Sequence, residues 1–305
     1  MDRPAASLNS PMSRSGTFLL PVGALLLSIV SFQFGAILAK QLFPAIGAQG
    51  TTAVRLGLGA LILWLIRRPW RRLGGRHDWP SLIGYGLTIG VMNLVFYMSL
   101  RTIPLGIAVT LEFLGPLAIA LFGSRRALDL VWVVLAVAGL ALLLPYRASA
   151  HALDPVGVMY ALAAGVCWAI YILLGRRAGA AFGGDAVALG SAIGALVAVP
   201  VGVAHAGTAL FALSTLPFAI GVAVLSSAFP YSLEMFALTR LPARTIGILV
   251  SVEPAVGALL GLAFLHEQLD MLQWLAIAAI VVASIGAVFS AQQPSADTRG
   301  PEQPA

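Results

Sequence analysis

The sequence predicts an all-α integral membrane protein with ten transmembrane helices, arranged as two inverted five-helix repeats. Hydrophobic residues make up 59% of the 305-residue chain, charged residues only 10%, and the mean hydropathy is +0.94. A soluble domain of this size does not need so much apolar surface, so the solvent around these helices must be lipid. Two glutamates, Glu112 and Glu253, lie inside long apolar runs, and a proline follows each of them within one helical turn.

The ten helices are predicted from apolar stretches of the length that a bilayer requires, roughly 20 residues each. The first stretch is too long for the core of a signal peptide and has no clear cleavage site, so we interpret it as a retained helix. Polar segments at 1–17 and 291–305 are predicted to be disordered cytoplasmic termini. The predicted spans are 18–39, 49–66, 79–100, 103–122, 128–145, 155–175, 185–204, 215–238, 242–264 and 270–290.

The basic residues alternate between the loops and predict the orientation in the membrane. One side has only Lys40, Arg101 and Arg147, with the acidic Glu267 and Asp270 in its last loop. The more basic side is expected to be cytoplasmic, which places both termini in the cytoplasm. That side carries Arg3, Arg14, Arg67, Arg68, Arg71, Arg72, Arg76, Arg125, Arg126, Arg176, Arg177, Arg240 and Arg299.

The two halves of the chain resemble each other weakly and predict repeats at 18–150 and 151–290. Glu112 in the fourth span corresponds to Glu253 in the ninth. Five spans per half is an odd number, so the second half enters the membrane from the opposite side. Inverted repeats of this kind let a central site open alternately to either face. The alternative explanation is that apolar helices share Gly, Ala and Leu by composition alone.

Several motifs resemble the drug/metabolite transporter superfamily of the EamA type. They include the Glu-Pro pair of the ninth span and the closing FLHEQLDMLQWLAIAAIVVASIGAVF (264–289). Three stretches closely resemble the bacterial inner-membrane threonine/homoserine exporters, namely 92–137, CWAIYIL (167–173) and PYSLEMFALTRLPARTIG (230–247). The resemblance covers residues 18–290. It implies efflux of threonine, homoserine and related small amino acids, although relatives in this superfamily move different metabolites.

Glu112 and Glu253 are the leading candidates for substrate binding or coupling. A carboxylate at mid-membrane costs on the order of 2–4 kcal/mol, and such residues are usually functional. Each could bind the ammonium of the substrate or exchange a proton for it. The alternative is a protonated glutamate that links two helices through a hydrogen bond. Pro116 and Pro254 are predicted helix breaks near the same depth, because proline removes a backbone hydrogen bond.

The third span carries a polar stripe in which Asn93, Tyr97 and Arg101 are spaced by four and share one helix face. This stripe could meet a substrate carboxylate through Arg101, or through Asn93 and Tyr97. Arg101 is also a candidate for a gate or an ion pair. The alternative is an interfacial belt of Tyr and Arg.

Further polar and aromatic side chains are candidates for the lining of a cavity. Gln33 lies deep in the first span, and Trp168 and Tyr171 are three residues apart in the sixth. The aromatic pair could line the path or favour a cation through its π faces, with ordinary packing as the alternative. Arg55 lies about six residues into the second span, where snorkelling or a structural ion pair is expected.

An inner gate is the last predicted element of the site. Glu234 could pair with Arg240 or Arg244, and a static surface pair is the alternative. The four histidines and one cysteine are scattered, and no phosphate-binding Gly-Lys-Ser/Thr loop is present. We therefore predict no metal, no cofactor and no catalytic residues. The expected partners are a small amino acid, the lipid bilayer and, if exchange occurs, protons; no nucleic acid is expected.

Together these features predict a secondary transporter that exports small neutral amino acids by alternating access. The substrate gradient and proton antiport are both possible sources of energy. Export of another small metabolite or drug by the same fold is the first alternative. An integral-membrane enzyme would gather acid, base and acceptor groups near one interface, and a scaffold has little need for two mid-membrane carboxylates.

Overall fold

The secondary structure is entirely helical within the residues that the computed structural model describes. These residues are 13–71, 78–122, 127–143, 153–238, 240–241 and 249–290. Two short 3₁₀ turns occur at Pro69–Arg71 and Gly207–Phe211, and a π-helical segment at Val224–Ala228 joins the helices Leu216–Ala223 and Phe229–Leu238. The helices are α1 (Ser13–Arg67), α2 (Trp79–Ser99), α3 (Leu105–Phe122), α4 (Ala127–Leu143), α5 (Pro155–Phe182), α6 (Asp185–Ala206), α7 (Leu216–Ala223), α8 (Phe229–Leu238), α9 (Glu253–Leu265) and α10 (Met271–Ser290).

The outer surface of the helices is apolar, as lipid requires. Leu130 and Leu196, for example, are 66% and 75% exposed. Shorter apolar helices occur at Leu105–Ile119, Leu130–Gly139, Glu253–Leu265 and Met271–Gly286. Five described stretches are long and apolar enough to cross a bilayer: Leu19–Arg71, Trp79–Ser99, Pro155–Phe182, Asp185–Phe211 and Leu216–Glu234.

Helix α1 departs most from the predicted boundaries. It begins at Ser13, inside the segment predicted to be disordered, and it continues past residue 39 to a sharp bend at Gly47. Gly47 has φ 69° and ψ 173°, a backbone conformation that glycine adopts without strain. The predicted loop between the first two spans is therefore a bend. The predictions for 1–12, 242–248 and 291–305 lie outside the described residues.

The helices pack in a reciprocal pattern around a buried α3. The part of α1 before Gly47 packs against α8 and α9, the part after it packs against α6, and α5 packs against α2 and α3. Helix α3 also contacts α9, and α4 contacts α10. Leu105, Ile107 and Leu111 of α3 are fully buried. Helix α3 thus lies at the centre of the molecule, where its polar residues meet other helices rather than lipid.

Asp154 caps the start of α5 and connects it to the turn between α2 and α3. Its carboxylate accepts hydrogen bonds from the Val156 N–H at 3.1 Å and the Gly157 N–H at 3.3 Å. The side chain of Thr102 and the Val156 N–H hold the pKa of Asp154 below its usual range, because both stabilise the ionised form. An aspartate at this position satisfies backbone donors that the helix itself leaves unpaired.

Candidate functional site

A cavity of about 110 Å³ lies between the central helices. It is mixed in character, as is typical of sites for small molecules, with apolar walls and a few converging polar groups. Side chains from α1, α2, α3, α5, α8 and α9, together with Val250 just before α9, form its lining. They are Leu25, Ser28, Ile29, Phe32, Gln33, Ala36, Arg55, Met92, Asn93, Phe96, Tyr97, Val109, Glu112, Trp168, Tyr171, Tyr231, Glu234, Val250 and Glu253.

Three acidic side chains reach this cavity from three different helices. Glu112 comes from α3, Glu234 from α8 and Glu253 from α9. The Gln33 amide nitrogen donates a hydrogen bond to Oε1 of Glu253 at 3.2 Å. Glu112 is close enough to interact electrostatically with both Glu253 and Arg55. The glutamates that the sequence singled out thus share one cavity, and their roles in transport stay predictions.

Helix α3 continues through Pro116, so the predicted break at that position is absent. The proline still leaves the carbonyl of Glu112, four residues earlier, without its helical donor. Close packing against α5 keeps α3 helical near Pro116. A Cβ atom on Gly165 would lie 2.7 Å from the backbone oxygen of Glu112, which leaves space for glycine only. This contact fixes Glu112 against α5.

Pro254 has a different structural role. Helix α9 starts at Glu253, after a turn at Ser251 and Val252, so that Pro254 occupies its first turn. Proline is well tolerated there, because the first N–H groups of a helix have no internal partner. Glu253 consequently lies at a helix N-terminus, where the helix dipole favours a carboxylate.

Arg55 neither snorkels nor forms an ion pair within the described part of the chain, contrary to the prediction. It is only 5% exposed, and its Nη2 donates to the backbone oxygen of Ser226 at 2.5 Å. Its guanidinium carbon lies 5.4 Å from the centre of the Tyr97 ring. Ser226 belongs to the π-helical segment, and Pro230, four residues later, has no N–H to donate to it. Pro230 is the sequence feature from which a carbonyl open to a side-chain donor could have been expected here.

The two aromatic candidates of α5 line the cavity and pack against other rings. Trp168 meets Phe113 edge-on, with ring centres 5.7 Å apart. Tyr171 stacks on Tyr85 at 4.9 Å, and their hydroxyl oxygens are 3.4 Å apart. Ordinary packing therefore accounts for part of their environment. Sequence reasoning did not single out Tyr85, because it lies about two helical turns before the polar stripe of α2.

The predicted stripe on α2 reaches the cavity only in part. Asn93 and Tyr97 line it, and the Asn93 amide nitrogen donates to the backbone oxygen of Ile89 at 2.8 Å. Arg101 instead lies exposed in the turn after α2, with Nη1 3.9 Å from the sulfur of Met98. The stripe ends before Arg101 because α2 ends at residue 99. Arg101 is therefore not part of this cavity.

Polar contacts were also predicted at the ends of the helices. The Lys40 ammonium lies 2.6 Å from Oε1 of Glu267, so the two side chains form an ion pair. The second oxygen, Oε2, accepts the Leu105 N–H at 2.7 Å, which joins α1, α3 and the loop before α10. Arg244 lies outside the described residues, so its pairing with Glu234 stays a prediction.

Comparison with known proteins assigns the family. Residues 155–289 match the EamA-like transporter family. The chain is 53% identical over 276 residues to the threonine/homoserine exporter RhtA of Escherichia coli strain K12, covering 90% of this chain and 94% of that protein. It is 54% identical over 271 residues to RhtA of Salmonella typhimurium strain LT2, covering 89% and 92%. The chain belongs to the EamA-like transporter family.

Membership confirms the resemblance predicted from the motifs, and it makes this chain a membrane transporter and not an enzyme. One solved crystal structure has the same fold, with a TM-score of 0.57 and 22% sequence identity. The match covers 92% of this chain and 100% of the other. At this identity the likeness concerns the fold alone.

Proposed function

We propose that this chain exports small neutral amino acids, threonine and homoserine among them, from the cytoplasm across the bacterial inner membrane. The observation that carries the proposal is the 53% identity that extends over 94% of a threonine/homoserine exporter. The cavity supports it chemically. Its described lining combines one guanidinium with three carboxyl groups. Such a mixture suits a small zwitterion, which carries one charge of each sign.

Transport would follow from two inverted repeats, 18–150 and 151–290, with ten spans in all. The bend at Gly47 divides α1 into two segments and so supports ten spans. The packing supports the repeats. Helix α5 packs against α2 and α3, and the first part of α1 packs reciprocally against α8 and α9. In two halves related by inversion, the first helix of each half packs against the other half in this way. Such halves can rock about a central site.

Glu112 and Glu253 would then act at equivalent positions of the two repeats. Both line the cavity, from helices that contact each other. Each would bind the substrate ammonium, exchange a proton for it, or do both in turn. The first role needs only the substrate gradient, whereas the second couples export to the proton gradient.

The proposed orientation places both termini and the 67–78 loop in the cytoplasm, as the arginine distribution favours. It is testable in a Cys167→Ser background, with single cysteines introduced at Ser295 or beside Arg101. An impermeant thiol reagent should label the position near Arg101 in intact cells and should not label position 295. The opposite pattern would contradict the orientation.

The direct test of function is export of labelled threonine and homoserine from cells with and without the protein. Labelled glutamate, which carries an additional charge, serves as the control substrate. We expect faster loss of threonine and homoserine, lower cytoplasmic pools of both and no change for glutamate. A parallel measurement with the proton gradient collapsed separates the two energy sources. Unchanged pools with a well-inserted protein would assign the transporter to another metabolite.

A further inference from the structure

We propose that Arg55 binds the α-carboxylate of the transported amino acid. This assignment deepens the proposed function and rests on it. It gives the cavity a positive charge on α1, alongside the acidic side chains of α3, α8 and α9. The substrate is then recognised by its backbone charges, with the side chain left to the apolar wall.

Arg55 is buried with unused hydrogen-bonding capacity. It lines the cavity with 5% of its surface exposed. Within the described part of the chain, no carboxylate oxygen lies within 4.0 Å of its guanidinium, and Nε has no hydrogen-bond partner. A buried guanidinium with free donors is costly unless an anion or water satisfies them. A carboxylate entering the cavity supplies that missing partner.

The structure holds the guanidinium of Arg55 in place before any ligand arrives. Nη2 is bonded to the backbone oxygen of Ser226, and the face of the Tyr97 ring lies below the guanidinium carbon. In a regular α-helix the donor to the Ser226 oxygen would be the N–H of residue 230, and Pro230 has none. Segments of π-helix occur often at functional sites. A fixed guanidinium loses little entropy on binding a planar carboxylate through two parallel bonds.

The other polar and basic residues that could bind the substrate carboxylate are less suitable than Arg55. Arg101 is exposed in the turn after α2, outside the cavity. The Asn93 amide nitrogen is already bonded to the Ile89 carbonyl. Lys40 is paired with Glu267. Arg55 is thus the basic residue that the described lining offers to an anion.

The test compares two ligands that differ only in the carboxylate. Threonine and threonine amide bind the purified full-length protein in detergent, and isothermal titration measures both affinities. A buffer of about pH 6 keeps the ammonium of both ligands protonated. We expect the parent to prefer threonine by at least about tenfold, as a charged, two-pronged contact predicts.

Arg55→Lys keeps the charge and loses the planar fork, and Arg55→Gln removes the charge. Both should weaken threonine binding by about tenfold or more and change the affinity for the amide by less than about twofold. Arg101→Gln, at the exposed arginine, is the matched control and should behave as the parent. If the Arg55→Gln variant does not fold, the affinities of the Arg55→Lys variant alone test the assignment.

Three results would overturn the assignment. Equal losses for threonine and its amide in Arg55→Lys indicate a structural role, because such a role does not depend on the carboxylate of the ligand. An unchanged preference for threonine in both variants excludes contact with the carboxylate. A parent that binds neither threonine nor homoserine contradicts the proposed function itself, and the assignment with it.

Discussion

The Gln33 amide nitrogen lies 3.2 Å from a carboxylate oxygen of Glu253, although 220 residues separate them in the chain. Gln33 is 3% exposed, and its own amide oxygen has no partner among the described residues. The bond therefore links α1 to the start of α9 at the wall of the cavity. It orients Glu253 and leaves an acceptor on Gln33 for a ligand or a water molecule.

Gln33→Leu removes this bond while it keeps a similar side-chain volume. A hydrogen bond of this kind contributes about 1 kcal/mol, so we expect export to fall about fivefold at equal membrane abundance. Gln41→Leu, at an exposed position of the same helix, is the control and should export normally. Equal export by the two variants would show that the Gln33–Glu253 bond has no part in transport.

The contact between α3 and α5 depends on glycine at position 165. A methyl group there would lie 2.7 Å from the backbone oxygen of Glu112, and the rigid backbone cannot move aside easily. We expect Gly165→Ala to destabilise the protein by about 1–3 kcal/mol, as overpacking does. Thermal unfolding in detergent measures this as a fall in melting temperature.

Gly179 provides the control on the same helix, because a Cβ atom there would meet nothing within 4 Å. Gly179→Ala should leave the melting temperature unchanged or raise it slightly, since alanine favours helix by about 1 kcal/mol. Similar melting temperatures for the two variants would contradict the close contact at Gly165.

The predicted cavity lining followed from one physical rule. An ionisable side chain at mid-membrane avoids lipid, so Glu112 and Glu253 had to face the protein interior. Asn93 and Tyr97 followed from helical spacing, which places them on one face, and Gln33 followed from its depth in the first span. These residues line the cavity, as do Trp168 and Tyr171. The all-helical membrane class was predictable for similar reasons, from length and hydropathy.

The remaining features depend on contacts that local sequence does not encode. Helix α1 continues past residue 39 because its far end packs against other helices up to the bend at Gly47. Arg55 was expected to snorkel or to form a structural ion pair, but the Ser226 carbonyl and the Tyr97 ring hold it at the cavity. Neither partner is near Arg55 in sequence.

The two prolines that follow the glutamates also show that local sequence does not determine where a helix breaks. Pro254 directly follows Glu253 and lies in the first helical turn, where it fits. Pro116 lies four residues after Glu112, inside a helix that packing keeps continuous. Both positions suggest a break when only local propensity is considered. Tertiary packing decides between a helix start and a tolerated interior proline.

The ion pair between Lys40 and Glu267 should stabilise the end of the molecule at which α3 begins. Their side chains are only 21% and 12% exposed, so solvent screens the pair less than it screens a surface pair. We expect Lys40→Met to lower stability by about 1–2 kcal/mol, because it leaves the Glu267 carboxylate with the Leu105 N–H alone.

A double-mutant cycle with Lys40→Met and Glu267→Gln isolates the pair, with melting temperature and denaturant midpoint as readouts. Arg101→Met, which removes an exposed charge from the same end, is the control and should change stability by less than about 0.5 kcal/mol. A coupling energy near zero would show that the two side chains contribute independently.

We propose above all that the cavity lined by Glu112 and Glu253 is the transport site. Substitution of either glutamate by glutamine tests this, because the side chain keeps nearly the same shape. Each variant should stay inserted, because an amide costs less than a carboxylate in lipid. The decisive measurement is the rate of threonine export across pH at equal membrane abundance of parent, Glu112→Gln and Glu253→Gln.

The account predicts slower export by each variant. A proton-exchange role would also flatten the pH dependence in at least one of them, whereas ammonium binding alone would weaken apparent affinity and leave the pH dependence intact. If both variants export like the parent at every pH, the claim that these two glutamates carry transport is wrong.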